Sequence, residues 1–306
     1  LLRRLELSVH HKLDGLLQGN YLGLVPGPGN EPGETRQYVA GDDVRRMDWP
    51  VTARTTVPHV RETVADRELE TWLVVDLSPS MDFGTGRSEK RELVLAAITA
   101  VVHLTVRGGN RVGAIVSNGV EQYLVPARPG RVHARHLVRR VASTPRATTD
   151  RDAAVRGGDL AAMLETLRRP QRRRGLVAIV SDFLDPLPAD GPAPWERTLR
   201  GLAERHQLLG IEILDPRELE LPAAGLVTFQ DTETGRELEV QTSDREVRER
   251  YAAAARAQRD RIAGALRHAS AAHLRLQTDR DWIDDVVRFV LARRHAAGST
   301  AALAVR

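Results

Sequence analysis

Residues 72–82 read Trp-Leu-Val-Val-Asp-Leu-Ser-Pro-Ser-Met-Asp. The run Thr71–Asp76 is mostly apolar, the pattern of a parallel strand buried on both faces. It ends in a carboxylate, Asp76, and Ser78 and Ser80 follow at alternate positions, so all three can turn toward one point. Hard cations such as Mg²⁺ take oxygen ligands in near-octahedral geometry and keep several waters. One carboxylate and two hydroxyls would hold such an ion without saturating it, leaving a position for a carboxylate from elsewhere. The stretch points to adhesion through a metal rather than chemistry at a metal.

The flanking sequence supports a strand at this point. Glu89–Arg107 carries the helical period, with Leu93, Val94, Ala97, Ile98, Val101 and Leu104 on one face, and Gly108-Gly109 stops it. Arg111–Val116 and Val120–Val125 read as strands joined by Ser117-Asn118-Gly119. Helices are predicted at 130–142 and 158–168. Gly175–Ser181 is a second apolar strand, ending at Asp182. A helix over Pro194–His206 and a strand over Gln207–Leu214 follow. Gly225–Gln230 and Arg236–Gln241 make a hairpin. Ser243 is the expected N-cap of a helix reaching His268. Ala272–Gln277 is a strand, and Asp279 or Asp281 opens a last helix to about Arg294.

Strands alternating with helices predict an α/β fold with a mainly parallel sheet. In such sheets ligands sit beyond the carboxyl ends of the strands, at the topological switch point. Two apolar strands, each delivering an Asp to one rim, make a stronger signal than either alone. The chain divides into an N-terminal extension (1–68), a core (69–215), a hairpin-plus-helix insertion expected to pack as an edge lobe (216–270), the core's last strand and helix (271–296) and a frayed tail (297–306). Within the extension, 1–20 reads as an amphipathic helix, 23–34 as irregular, and the rest as charged and extended.

The chain has 306 residues, 42% hydrophobic and 28% charged, and can bury a full core. It has no cysteine, which excludes disulfides, thiolate zinc sites and a cysteine nucleophile. The longest apolar stretch, Leu93–Val106, is too short for a bilayer, which needs about 20 residues. A cytoplasmic place is expected, with association through an upstream segment or a partner left open. The net charge is +4, nearly all of it from arginine; only Lys12 and Lys90 are lysines. The arginines are interleaved with Glu and Asp, and their clusters lack aromatics for base stacking, so no nucleic-acid partner is expected.

Asp76-Leu77-Ser78-Pro79-Ser80 matches the D-x-S-x-S pattern of von Willebrand factor A domains and resembles their metal-ion-dependent adhesion site. The resemblance implies a von Willebrand factor A-like α/β fold of Rossmann type, a mainly parallel sheet flanked by helices. It implies Mg²⁺ on Ser78 and Ser80, with Asp76 and Asp182 in support and Mn²⁺ or Ca²⁺ able to substitute. The family also supplies a threonine, usually in Gly-Gly-Thr-x-Leu. Here Gly157-Gly158-Asp159-Leu160 stands instead, so Asp159, or Thr148 or Thr149 from the preceding loop, would have to serve, and the ion is expected to be weakly held.

A second resemblance covers nearly the whole chain. Arg36-Gln37-Tyr38-Val39-Ala40-Gly41-Asp42-Asp43-Val44-Arg45-Arg46-Met47-Asp48-Trp49, continued by Ala53-Arg54, is similar to the signature R-x-Y-x-x-G-D-D-x-R-x-I-D-W-x-x-x-A-R of the bacterial family called domain of unknown function 58. Met47 for Ile conserves volume. Such proteins are typically encoded beside AAA+ ATPases of the MoxR type. The implied role is partner or adaptor of that ATPase in assembling or remodelling client proteins. Physically, Arg36, Arg45, Arg46 and Arg54 can pair with Asp42, Asp43 and Asp48, Tyr38 lies among them, and Trp49 offers an apolar anchor. The segment is either a clamp onto the core or a partner-binding surface.

An enzyme is the competing class. An Mg²⁺-dependent phosphotransferase or phosphatase of haloacid dehalogenase type also has Asp at the end of its first strand. It needs a second Asp two residues on as general acid, and Ser78 cannot do that work near neutral pH. No G-x-S-x-G elbow and no G-x-x-x-x-G-K-[ST] loop is present. A non-catalytic binding module is the expected function.

Overall fold

The computed structural model describes residues 35–39, 47–61, 70–106, 110–147, 159–168, 174–184, 191–230 and 236–304, without the side chains of 35, 36, 61 and 294–304. The expected helix at 1–20, the 23–34 segment, Gly41-Asp42-Asp43, Thr148, Thr149 and Gly157-Gly158 lie outside these residues.

The central sheet has six strands in the order β10-β7-β6-β3-β4-β5. They are β3 (Glu70–Asp76), β4 (Arg111–Ser117), β5 (Gln122–Pro129), β6 (Gly175–Ser181), β7 (Gln207–Leu214) and β10 (Ala272–Gln277). All pairings are parallel except β4 with the edge strand β5. Every residue of β3 and β6 is buried, as their unbroken apolar runs require. Strand β3 sits between β4 and β6, so the chain runs outward one way through β4 and β5, then returns to build the other half. The switch point is the crevice between the ends of β3 and β6.

Alternate β3 side chains feed two cores. Leu73 and Val75 join the layer of α2 (Lys90–Val106), α3 (Arg131–Ala142) and α7 (Trp282–Ala304). Trp72 and Val74 join that of α4 (Leu160–Leu167), α5 (Glu196–Ala203) and α6 (Arg245–His268). A strand entering D-x-S-x-S, a helix, a hairpin and a later strand ending at Ser181-Asp182 follow one another as expected. The fold is von Willebrand factor A-like.

Gly113 shows how tightly the sheet closes on its aromatic core. It pairs with Trp72, and a Cβ there would stand 2.7 Å from the indole ring and 2.9 Å from the Ala127 nitrogen. Gly113→Val is therefore expected to destabilise the protein by about 1–3 kcal/mol through overpacking, read as a lower urea midpoint at unchanged slope.

Several expectations change. Strand β5 starts at Gln122, not Val120, because Asn118 Oδ1 accepts from the amides of Val120 and Glu121 and uses those residues in the turn. The N-cap of α6 is Asp244, whose carboxylate accepts from Glu246 N, rather than Ser243. Helix α7 continues to Ala304 through an alanine-rich stretch of high helix propensity, where a frayed tail was expected. The 216–270 segment is not an edge lobe throughout. Its hairpin, β8 (Leu226–Gln230) with β9 (Glu237–Gln241), exposes Leu226 and Leu238. Its helix α6, however, buries Ile262, Ala265 and Leu266 in the second core layer. Parallel strands β7 and β10 need a crossover, and α6 is part of it.

In the N-terminal extension, β1 (Thr35–Gln37) pairs antiparallel with β2 (His59–Arg61). The helix α1 (Trp49–Thr55) stands where an extended chain was expected. Asp48 N-caps it through Val51 N at 3.3 Å, with a proline in its first turn.

Candidate functional site

The carboxyl ends of β3 and β6 bring four expected residues into one hydrogen-bonded chain. Asp76 Oδ1 accepts from Ser78 N at 2.9 Å, and its Oδ2 accepts from Ser181 Oγ at 2.7 Å. The hydroxyls of Ser78 and Ser80 are 3.2 Å apart. Ser80 Oγ donates to Asp182 Oδ2 at 2.8 Å, and Leu184 N donates to Oδ1 at 3.0 Å. Asp76, Ser78 and Asp182 are buried and Ser80 is half-buried, so Ser80 is the more accessible hydroxyl. Pro79–Met81 forms a 3₁₀ turn, and buried Leu77 and Met81 pin it from below. On the β6 side, Phe183 has φ 57°, a left-handed conformation that costs a bulky residue about 1–3 kcal/mol. Its ring is fully buried against Trp195, at 5.4 Å between centroids, and that packing offsets the cost.

A second tier of charged residues, absent from the sequence reading of the site, stands behind this chain. Lys90 Nζ donates to Asp182 Oδ2 at 2.7 Å and to Glu218 Oε1 at 2.6 Å. Arg259, from α6, donates to the Asp182 carbonyl at 3.0 Å and to Glu212 Oε1 at 3.2 Å. His273 and Arg275 complete the shell around Glu212 at 2.8 and 2.9 Å. Asp215 accepts from Thr85 N, Thr85 Oγ1 and Thr278 Oγ1 at 2.7, 2.6 and 2.6 Å. That ties the loop after the serines to the ends of β7 and β10. Gly86 lies so close to Thr278 that a Cβ would stand 2.5 Å from its carbonyl.

The two rim carboxylates differ electrically. Burial, and then the charge of Asp182, push the Asp76 carboxyl above its ordinary range, against hydrogen bonds from Ser78 and Ser181. Burial would also raise Asp182, but the Lys90 ammonium, its hydrogen bond, Leu184 N and Ser80 outweigh it and hold that carboxyl low. Lys90 is the converse: burial lowers it, and the charges of Asp182 and Glu218 more than restore it, so it stays protonated.

The donors fit a hard cation. Ligands about 2.0–2.1 Å from an octahedral ion lie roughly 3 Å from their neighbours. The Ser78–Ser80 and Ser80–Asp182 oxygen spacings, 3.2 and 2.8 Å, bracket that edge. Every donor is oxygen. Among the described residues no group of three or more His, Cys, Asp and Glu forms a metal cage, so any ion here would need the serine hydroxyls and water beside the two carboxylates.

Asp159 does not join the site. It is exposed, and its Oδ1 caps α4 by accepting from Ala162 N at 2.8 Å. In the extension, Asp48 is buried at its cap, Tyr38 is half-buried and Arg54 is exposed. Trp49 is 66% exposed at the start of α1, set there by the cap at Asp48, so it does not anchor the segment to the core. Asp42, Asp43, Arg45, Arg46 and the side chain of Arg36 lie outside the described residues. The buried Lys90 binds Asp182 and Glu218 rather than Asp76.

The family model described as "Protein of unknown function DUF58" matches residues 34–261, three-quarters of the chain. The chain belongs to this family. It is 54% identical over 298 residues to the Mycobacterium tuberculosis (strain ATCC 25618 / H37Rv) protein named "Uncharacterized protein Rv1480", covering 97% of this chain and 90% of that one. Among solved structures, the conserved hypothetical protein BatB from Bacteroides thetaiotaomicron is 13% identical with a TM-score of 0.45, covering 74% of this chain and 99% of BatB. The SpRpn10 VWA domain is 11% identical with a TM-score of 0.36, covering 72% and 93%. Among the described residues of this family member, no helix is long and apolar enough to cross a membrane.

Proposed function

We propose that this member of the family is a non-catalytic protein-interaction module that docks an acidic side chain of its partner at the Asp76–Ser78–Ser80–Asp182 rim. The supporting observation is the convergence of these four residues, from two strand ends, at oxygen spacings suited to a hard cation. Mg²⁺, or Mn²⁺ or Ca²⁺ in its place, would supply an open coordination position for the partner's carboxylate. Ser78 and Ser80 would hold it directly. Asp76 orients the loop by accepting the Ser78 amide, and Asp182 orients the Ser80 hydroxyl. The proposed partner is a MoxR-type AAA+ ATPase or one of its clients, through the family resemblance.

Capture of that ATPase by the immobilised chain is expected to fall at least tenfold in EDTA and in Ser78→Ala, since both remove the bridging position. Undiminished capture in both would move the interface away from the rim. A generic phosphate ester with Mg²⁺ should show no turnover above buffer, because Ser78 stands where a general acid would be needed. Turnover that disappears in Asp76→Ala would favour the phosphotransferase.

A further inference from the structure

Lys90 is placed against ordinary electrostatics. It is the first residue of α2, where the helix dipole disfavours a cation, and its side chain is 0% exposed. Its ammonium sits between Asp182 Oδ2 at 2.7 Å and Glu218 Oε1 at 2.6 Å. Asp182 Oδ2 is also the oxygen that accepts from Ser80. A chain whose basic residues are otherwise arginine, apart from Lys12, uses a lysine here. Lysine is a compact point charge, whereas a guanidinium is a planar fork and bulkier. The carboxylates at this end of the sheet thus meet a covalently tethered cation before any free one arrives.

We infer that Lys90 is the internal counter-ion of the rim: its ammonium competes with a divalent cation for Asp182 and sets the rim's divalent affinity low. This rests on the rim being a divalent site, as proposed above. Two consequences follow from charge alone. Removing the ammonium leaves the Asp182 carboxylate without its buried counter-ion and Glu218 with only the Arg259 guanidinium at 4.0 Å, and a divalent ion is then attracted more strongly. Neutralising Glu218 leaves Lys90 paired with Asp182 alone and removes one negative charge nearby, so divalent affinity falls. A purely structural Lys90 would change stability in both variants without moving divalent affinity in opposite directions.

The test is Mn²⁺ and Mg²⁺ titration calorimetry on the whole chain, comparing wild type, Lys90→Met and Glu218→Gln. Melting curves with and without Mg²⁺ are recorded alongside. Lys90→Met is expected to bind at least tenfold more tightly than wild type, and Glu218→Gln several-fold more weakly. Mg²⁺ should raise the melting temperature of Lys90→Met more than that of wild type, since a ligand stabilises the form that binds it. If Lys90→Met does not fold, Glu218→Gln alone decides. Binding by wild type that is unchanged in Lys90→Met, or tighter in Glu218→Gln, overturns the inference and leaves the divalent rim standing. Binding by no folded variant overturns both.

Discussion

Glu212→Ala is expected to cost about 3–5 kcal/mol of stability, the usual price of stripping one partner from a buried ionic cluster. Glu212 is fully buried on β7 and accepts from Arg259, His273 and Arg275, which come from α6 and β10. Arg259 is itself nearly buried, so removing the carboxylate leaves a guanidinium with little water to replace it. The same guanidinium holds the Asp182 carbonyl, so the loss reaches the rim. Thermal melting should fall by roughly 10 °C. Burial raises the Glu212 carboxyl, but the His273 hydrogen bond and the charges of Arg259, His273 and Arg275 outweigh it and hold it below its ordinary value of 4.5. A group lowered in the folded state contributes its full stability above its unfolded value and loses it as pH falls through the folded one. The gap between wild type and variant should therefore be widest near neutral pH and shrink below about pH 4. A gap independent of pH would show that packing, not charge, carries the effect.

Asp182→Ala is the second large effect, and it acts on both stability and binding. Lys90, buried at the start of α2, would be left with Glu218 alone, and Ser80 Oγ and Leu184 N would each lose an acceptor. A buried charge deprived of one partner costs about 3–5 kcal/mol. Asp182→Asn keeps one acceptor oxygen, for Lys90 and Ser80 or for Leu184 N but not for both, and removes the charge. It should retain more stability than the alanine variant while still losing divalent binding at least tenfold. Denaturant unfolding read beside calorimetry separates the two. Equal stability losses in both variants would mean that the charge, not the acceptor, is the structural element.

The sheet was legible because strands buried on both faces write themselves as unbroken apolar runs. Trp72–Val75 and Leu176–Val180 had no competing reading, and the carboxylates just beyond them marked the rim. Lys90, Glu218 and Arg259 were not legible. A buried charge looks in sequence like a surface charge, and only the packing of α2 and α6 against the sheet brings Lys90 and Arg259 to Asp182, with Glu218, from the turn after β7, on Lys90. The one available signal was compositional, a lone lysine in a core otherwise supplied with arginine. Asp159 misled for the opposite reason: an Asp before a helix caps it, and the Gly-Gly-Asp-Leu context resembled a ligand loop. Asp48-Trp49-Pro50 was a helix start written plainly, a capping residue followed by proline, and the surrounding charges obscured it.

A rim that docks its partner around a divalent cation must hold that ion between the ends of β3 and β6. Anomalous diffraction at the manganese edge, from crystals soaked in excess Mn²⁺, tests it most directly. A single strong peak is expected, bonded to the hydroxyls of Ser78 and Ser80 beside Asp182 and absent after Ser78→Ala. No peak at the rim, with Lys90 still closed on Asp182, would contradict a divalent docking point.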